Sequence, residues 1–197
     1  MRIYFFNLYN MELASILPNE IIKSLIGIKI KLKIKKPRIS KFGDCKYKIN
    51  ENVFYISINE GLDKNQFTIT LLHELAHAIT IYKHGLNAKP HGKKWKKEYM
   101  TLINLGIKNK MFTKNIERAL NKSMKNIKSS HIYDYDLIKE LYKNKKQNKT
   151  LNDIKDGEVF EFKGDQFIKI KKLTKRYLCQ NIKNKKKYYI HPLIEIK

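Results

Sequence analysis

Apolar residues and lysines alternate strictly along Ile28-Lys-Ile-Lys-Leu-Lys-Ile34. A period of two puts the isoleucines and leucine on one face and the lysines on the other, which predicts a half-buried β-strand. Pro37 ends that strand, and Lys41-Phe-Gly-Asp44 reads as a turn. Two further strands are expected at Cys45–Ile49 and Val53–Ile58, joined through Asn50-Glu-Asn52. Upstream, residues 11–27 read as one or two short helices, with Pro18 opening a turn and Gly27 closing it.

The period then changes. From Gln66 to about Lys83, apolar residues at 67, 69, 71, 72, 75, 76 and 79 predict a helix buried over most of its surface. Asp63 stands where its carboxylate can accept first-turn amide hydrogens, and Gly85 is a natural stop. A second helix is expected from His91–Gly92 through Trp95, Tyr99 and Leu102 to about Leu105, and a short one over Thr113–Asn121. Trp95 and Tyr99 are four residues apart, share a helix face and read as packing. Residues 122–150, dominated by Lys, Asn and Ser, read as a linker with one weak helix at Asp136–Tyr142.

Short strands follow at Val159–Phe162, Gln166–Ile170, Tyr177–Cys179 and Tyr188–Ile190, set between turns such as Lys163-Gly-Asp165. Their spacing suggests a small antiparallel barrel or meander, in which Tyr177, Tyr188 and Tyr189 would fill the core rather than stack bases. The expected fold is α+β. A small sheet packs on a helix pair within residues 1–121, a linker spans 122–150, and a β-barrel-like module occupies 151–197.

Composition narrows the setting. The chain has 197 residues and is 42% hydrophobic, enough to bury a core. Its two cysteines, Cys45 and Cys179, make neither a four-cysteine zinc ribbon nor a disulfide framework, which suits a reducing compartment. Both read as unreactive core thiols. The apolar opening Met1–Tyr9 is short and lacks a small-residue cleavage site, and the apolar run Leu71–Ile81 is broken by His73, Glu74 and His77. No secretion and no membrane contact are expected, and the cytoplasm is the expected location.

The formal net charge is +24, yet only four of the 42 basic residues are arginine. An AT-rich coding sequence would impose the same lysine bias, so distribution matters more than the total. Residues 83–128 carry thirteen Lys or Arg against two Glu, whereas 63–82 is nearly neutral. Within the basic stretch, Lys93, Lys94, Lys96 and Lys97 form either a solvated helix surface or a cationic lip that draws in DNA or acidic protein.

The chemistry-bearing segment is His73-Glu-Leu-Ala-His77. On a helix, positions i and i+4 share a face one turn apart, so both imidazoles can reach one metal ion. Glu74 is placed beside a metal-activated water rather than on the metal, the position of a general base. Two histidines and a glutamate in an otherwise apolar helix are costly unless employed. Catalytic zinc usually takes three protein ligands. His84 falls on nearly the same face but about 10 Å farther along the axis than His77, too far to join.

Two candidates for the third ligand remain. Glu98 lies on the next expected helix. His91 stands at the entrance of that helix, after a loop long enough to fold back and beside Gly92, which permits close approach, and these features favour it. Tyr82, Tyr99 and His84 are the candidates for stabilising an oxyanion, and the sequence does not choose among them.

The run Leu71-Leu-His-Glu-Leu-Ala-His-Ala78 followed by Pro90-His-Gly-Lys-Lys-Trp95 resembles the paired motifs of SprT-like proteins, zinc peptidases related to Spartan. The family couples an HExxH helix to a downstream His-Gly-x-x-aromatic. A softer likeness, to a bacterial subgroup lacking the C-terminal zinc ribbon, runs through Pro37–Asp44, Ile56–Asn59, Arg176–Cys179 and Lys187–Ile190.

The resemblance implies His91 as third ligand, one zinc ion per chain, Glu74 as base and protein as substrate. Many relatives carry paired cysteines at the C-terminus; this chain has Cys179 alone there. DNA-linked proteolysis, a property of the Spartan branch, is therefore implied only by extension. The expectation is a zinc-dependent metallopeptidase acting on cytoplasmic, DNA-associated proteins. Its rival is a basic nucleic-acid-binding protein with a structural or vestigial zinc site, for which Glu74 would have no use.

Overall fold

The computed structural model describes residues 11–38, 41–125, 127, 135–142, 149–162, 164–174, 176–190, 192, 194 and 196. The opening Met1–Tyr9, residues 39 and 40 of the upstream likeness, residues 126, 128–134 and 143–148 of the 122–150 segment and Lys163 of the expected turn lie outside the described residues. The chain divides into two compact units, Met1–Leu141 and Tyr142–Lys197.

The first unit begins with helices α1 (Met11–Ala14) and α2 (Asn19–Ser24), with Pro18 as the extended N-cap of α2 and Gly27 at φ 84 in the turn that follows. Strands β1 (Ile30–Lys35), β2 (Gly43–Lys48) and β3 (Val53–Asn59) form a sheet of order β1-β3-β2. β1 runs parallel to β3, and β2 runs antiparallel to it. The β2–β3 connection is a 3-10 turn at Ile49–Glu51 closed by Asn52 in the left-handed region, a conformation that asparagine tolerates.

Alternation holds along β1, with lysines outward, but burial fades along it. Ile30 is fully buried, Leu32 is half-buried and Ile34 is 48% exposed. Among the described residues β1 pairs with β3 alone, at the edge of the sheet. The expected turn at Lys41–Asp44 is placed differently: β2 already starts at Gly43, so this glycine belongs to the strand. Because β2 lies on the far side of β3 from β1, the chain crosses the end of β3 before entering β2.

Helix α3 (Lys64–His84) packs on β2 and β3, and α4 (Lys93–Lys108) packs beside α3. Asp63 caps α3, its carboxylate accepting from the Gln66 N–H at 3.0 Å. The Gln66 side chain does not return the bond; it is buried and without a partner among the described residues. At the other end Gly85, φ 78, donates its N–H to the Ile81 carbonyl. Ile69, Leu71, Leu72, Leu75 and Ile79 of α3 are essentially inaccessible, as are Ile56 and Ile58 of β3. Each such side chain stabilises the fold by roughly 1.5–3 kcal/mol relative to leaving it in water. Helices α5 (Lys114–Met124) and α6 (Tyr135–Tyr142) complete this unit, α6 burying Leu137, Ile138 and Leu141.

The second unit is an antiparallel sheet in sequence order, β4 (Val159–Phe162), β5 (Asp165–Lys172), β6 (Tyr177–Asn181) and β7 (Lys187–Ile190). Phe160, Phe167, Tyr177, Cys179 and Ile190 form its core with Leu151, Ile154 and Ile196. Tyr177 is therefore core, whereas Tyr188 and Tyr189 are 38% and 62% exposed and do not fill it as expected. Lys169 shares the buried face with Phe167. Its ammonium donates to the carbonyls of Leu151 and Ile154 at 3.1 and 2.5 Å and stands 3.8 Å from the Tyr177 ring centre. Those bonds satisfy two carbonyls and a charge that would be costly to bury alone. Among the described residues, no helix is long and apolar enough to cross a membrane.

Candidate metal centre

Helix α3 presents His73 and His77 one turn apart, and its capped, apolar body fixes where they point. The chain leaves α3 at Gly85, turns at Ala88, whose N–H bonds to the Gly85 carbonyl, and turns again where the Gly92 N–H meets the Lys89 carbonyl at 2.9 Å. Inside that second turn His91 takes the left-handed conformation, φ 58, and its ring lands on the other two histidines. Gly92 is needed there: a Cβ would stand 2.9 Å from the Lys89 carbonyl oxygen.

The three Nε2 atoms converge. His73 and His77 are 3.3 Å apart, His77 and His91 3.0 Å, and His91 and His73 3.2 Å. Each Nε2 has a single in-plane site, either an N–H or a lone pair, so three meeting at a point can make at most one hydrogen bond. Tetrahedral ligands 2.0–2.1 Å from zinc lie about 3.3–3.4 Å from one another, close to the spacing seen. The donor set thus fits a small cation better than it fits itself. Among the described residues this trio is the one group of His, Cys, Asp or Glu side chains placed to hold a metal ion.

Burial favours the uncharged form of two of the imidazoles. Burial, and then the neighbouring His91, brings the His77 pKa down to about 4, and burial lowers that of His91 as well. Beneath them lies Trp95, fully buried, with ring centres 4.7 Å from His73, 5.2 Å from His77 and 4.7 Å from His91. Tyr99 stacks on Trp95 at 4.9 Å. The pair is packing, as their spacing suggests, but packing that floors the histidine cluster.

Glu74 is 7% exposed and lies against β2 rather than within the Nε2 cluster. Burial pushes its carboxyl up to about 8, the Asp44 carboxylate adds to this, and Lys41 and Arg38 oppose it. Cys45 feels the same surroundings: burial, then Glu74 and Asp44, raises its thiol far above the ordinary range. Cys179 is pushed up to about 11, chiefly by burial. Neither is a ready nucleophile.

The other candidates separate from the cluster. Glu98 forms an ion pair with Lys83 at 2.9 Å, tying α4 to α3. His84 is exposed at the last residue of α3. Tyr82 is 54% exposed, and Tyr99 is buried behind His73. Lys93, Lys94 and Lys97 are exposed and Lys96 half-buried along the first turns of α4, immediately after His91. The upstream likeness includes Arg38, Gly43 and Asn59 without giving them a role; the structure sets Gly43 against Glu74 and joins Arg38 to Asn59.

The α+β unit thus brings three histidines together, from a helix and the loop after it, where they could hold a metal ion. The chain belongs to the SprT-like family, whose profile matches residues 14–125, more than half of its length. Searches of curated proteins and of solved structures return no match.

Proposed function

We propose that the protein is a zinc-dependent metallopeptidase of the HExxH type, hydrolysing peptide bonds in cytoplasmic proteins. The observation that carries the reading is the convergence of the three Nε2 atoms, with the buried Glu74 next in sequence to His73. His73, His77 and His91 would hold one zinc ion per chain, with α3 and α4 acting as a zincin-type helix pair. Bound there, zinc supplies Lewis acidity toward the scissile carbonyl and the attacking water. In its ionised form Glu74 would take the water's proton on a carboxylate oxygen and return it to the leaving amine. Trp95 and Tyr99 hold the histidine rings in place from below.

Metal analysis should find one zinc per chain, and protein hydrolysis should stop on chelation and return when zinc is restored. A folded chain that binds no zinc, or that cleaves equally well without metal, overturns the reading. Zinc binding and DNA binding without hydrolysis of any protein tested would favour a nucleic-acid-binding protein with a structural zinc.

The cationic start of α4 supports a partner for the same site. Lys93, Lys94, Lys96 and Lys97 follow the third histidine directly, so a polyanion held there would bring bound proteins to the cleft. We expect DNA affinity to fall linearly with salt on a log–log plot, each phosphate contact contributing about 0.9 to the slope. Replacing all four lysines with glutamine should flatten the slope by up to about 3.6 if each makes one contact, with zinc content unchanged. An unaltered slope would leave these lysines as solvated surface.

A further inference from the structure

The loop that crosses the end of β3 delivers Gly43, first residue of β2, onto Glu74. A Cβ there would stand 2.6 Å from Glu74 Oε1, 2.7 Å from the Thr70 methyl and 2.8 Å from Glu74 Cγ. Only the first is the far end of a flexible side chain. The other two sit close to the α3 backbone, so the clash is not relieved by a small torsion. Gly43 is absent from the residues with positive φ, so close approach, not backbone conformation, requires glycine here.

The approach is held from behind. Asn59, 2% exposed at the end of β3, donates its N–H to the Phe42 carbonyl at 2.8 Å and its side-chain amide to the carbonyls of Arg38 and Lys41 at 3.1 and 2.9 Å. Its Oδ1 accepts from Arg38 Nε at 2.8 Å, and the Arg38 guanidinium also bonds to the hydroxyl and carbonyl of Ser57. Carbonyls of a loop crossing a strand end need donors, and one asparagine supplies three of them here. Any other setting of the loop breaks several of these bonds together.

We infer that Gly43 is a positioning residue for Glu74: the bare strand backbone is the wall that sets the Glu74 side chain, and the Arg38–Asn59 exchange holds that wall in place. The inference rests on Glu74 acting as the base. Gly43 touches no reacting atom and acts through its contact with Glu74.

The test is Gly43→Ala. Zinc content should be unchanged, KM should stay near the wild-type value, and kcat should fall roughly 10- to 100-fold, as expected for a displaced reacting group. Adding Glu74→Asp, one methylene shorter, should restore part of that kcat relative to Gly43→Ala alone. Wild-type kcat in Gly43→Ala, or a fall that comes with loss of zinc, overturns the proposal.

A readout without hydrolysis keeps it separate from the peptidase reading. Gly43→Ala should lower the unfolding midpoint less in a Glu74→Ala background than in wild type, because the carboxyl side chain it displaces is gone. An equal drop in both backgrounds overturns the contact even if no protein is ever cleaved. Should Gly43→Ala not fold, Arg38→Ala removes the support without adding an atom. It should lower kcat with zinc retained, and unchanged kcat would again overturn the proposal.

Discussion

Glu74→Gln is expected to keep one zinc ion per chain and to lower kcat by roughly 100- to 10,000-fold, the contribution of a well-placed general base. Glutamine keeps the size and much of the hydrogen bonding of glutamate but cannot accept a proton at neutral pH. Burial disfavours the ionised carboxyl where Glu74 lies, so a neutral amide at that place should not unfold the protein. Metal content should be insensitive, since Glu74 is not part of the three-histidine cluster. KM should change little, because the lost interaction belongs to the transition state. Hydrolysis within tenfold of wild type would remove Glu74 from the role of base, and loss of zinc would make it a ligand.

Elements with a local cause were legible in the sequence. The Lys–Ile alternation gives β1, the apolar spacing between Asp63 and Gly85 gives α3 with both its caps, and the paired histidine motifs give the cluster. Each follows from interactions a few residues long, or from a resemblance whose residues lie close in sequence.

What the sequence did not display depends on chain crossings. Placing β1 and β2 on opposite sides of β3 obliges the connecting segment to cross the end of β3, and only then does Asn59 meet Arg38, Lys41 and Phe42. Gly43 looks like a turn glycine because turns are the commonest local use of Gly beside Asp. Its actual constraint is a helix 27 residues later in the chain, at Thr70. Lys169 also depends on a distant contact: alternation with Phe167 points it inward, and the Leu151 and Ile154 carbonyls that accept its hydrogen bonds come from a separate 3-10 turn and its C-cap. The exposure of Tyr188 and Tyr189 has the same origin, since strand pattern alone does not say which face of a sheet is covered.

His91→Ala should remove zinc binding at concentrations where wild type is saturated, whereas Glu98→Ala should leave it intact. Of the two residues read as possible third ligands, only His91 brings a donor atom into the cluster, at 3.0 and 3.2 Å from its neighbours. Loss of a supporting partner typically costs 10- to 100-fold in affinity, so loss of a ligand should cost more than about 100-fold. Alanine at 91 also gives up a left-handed conformation that non-glycine residues adopt reluctantly, so the Lys89–Gly92 turn is free to relax away from α3. Glu98 instead pairs with Lys83, whose side chain is 47% exposed, and such a pair is worth about 0–1 kcal/mol. Its loss should shift the unfolding midpoint slightly and zinc affinity not at all. Equilibrium dialysis against a competing chelator reads both variants on one scale. If Glu98→Ala loses the metal and His91→Ala keeps it, the third position passes to Glu98, and the αL turn that carries His91 would have some other purpose.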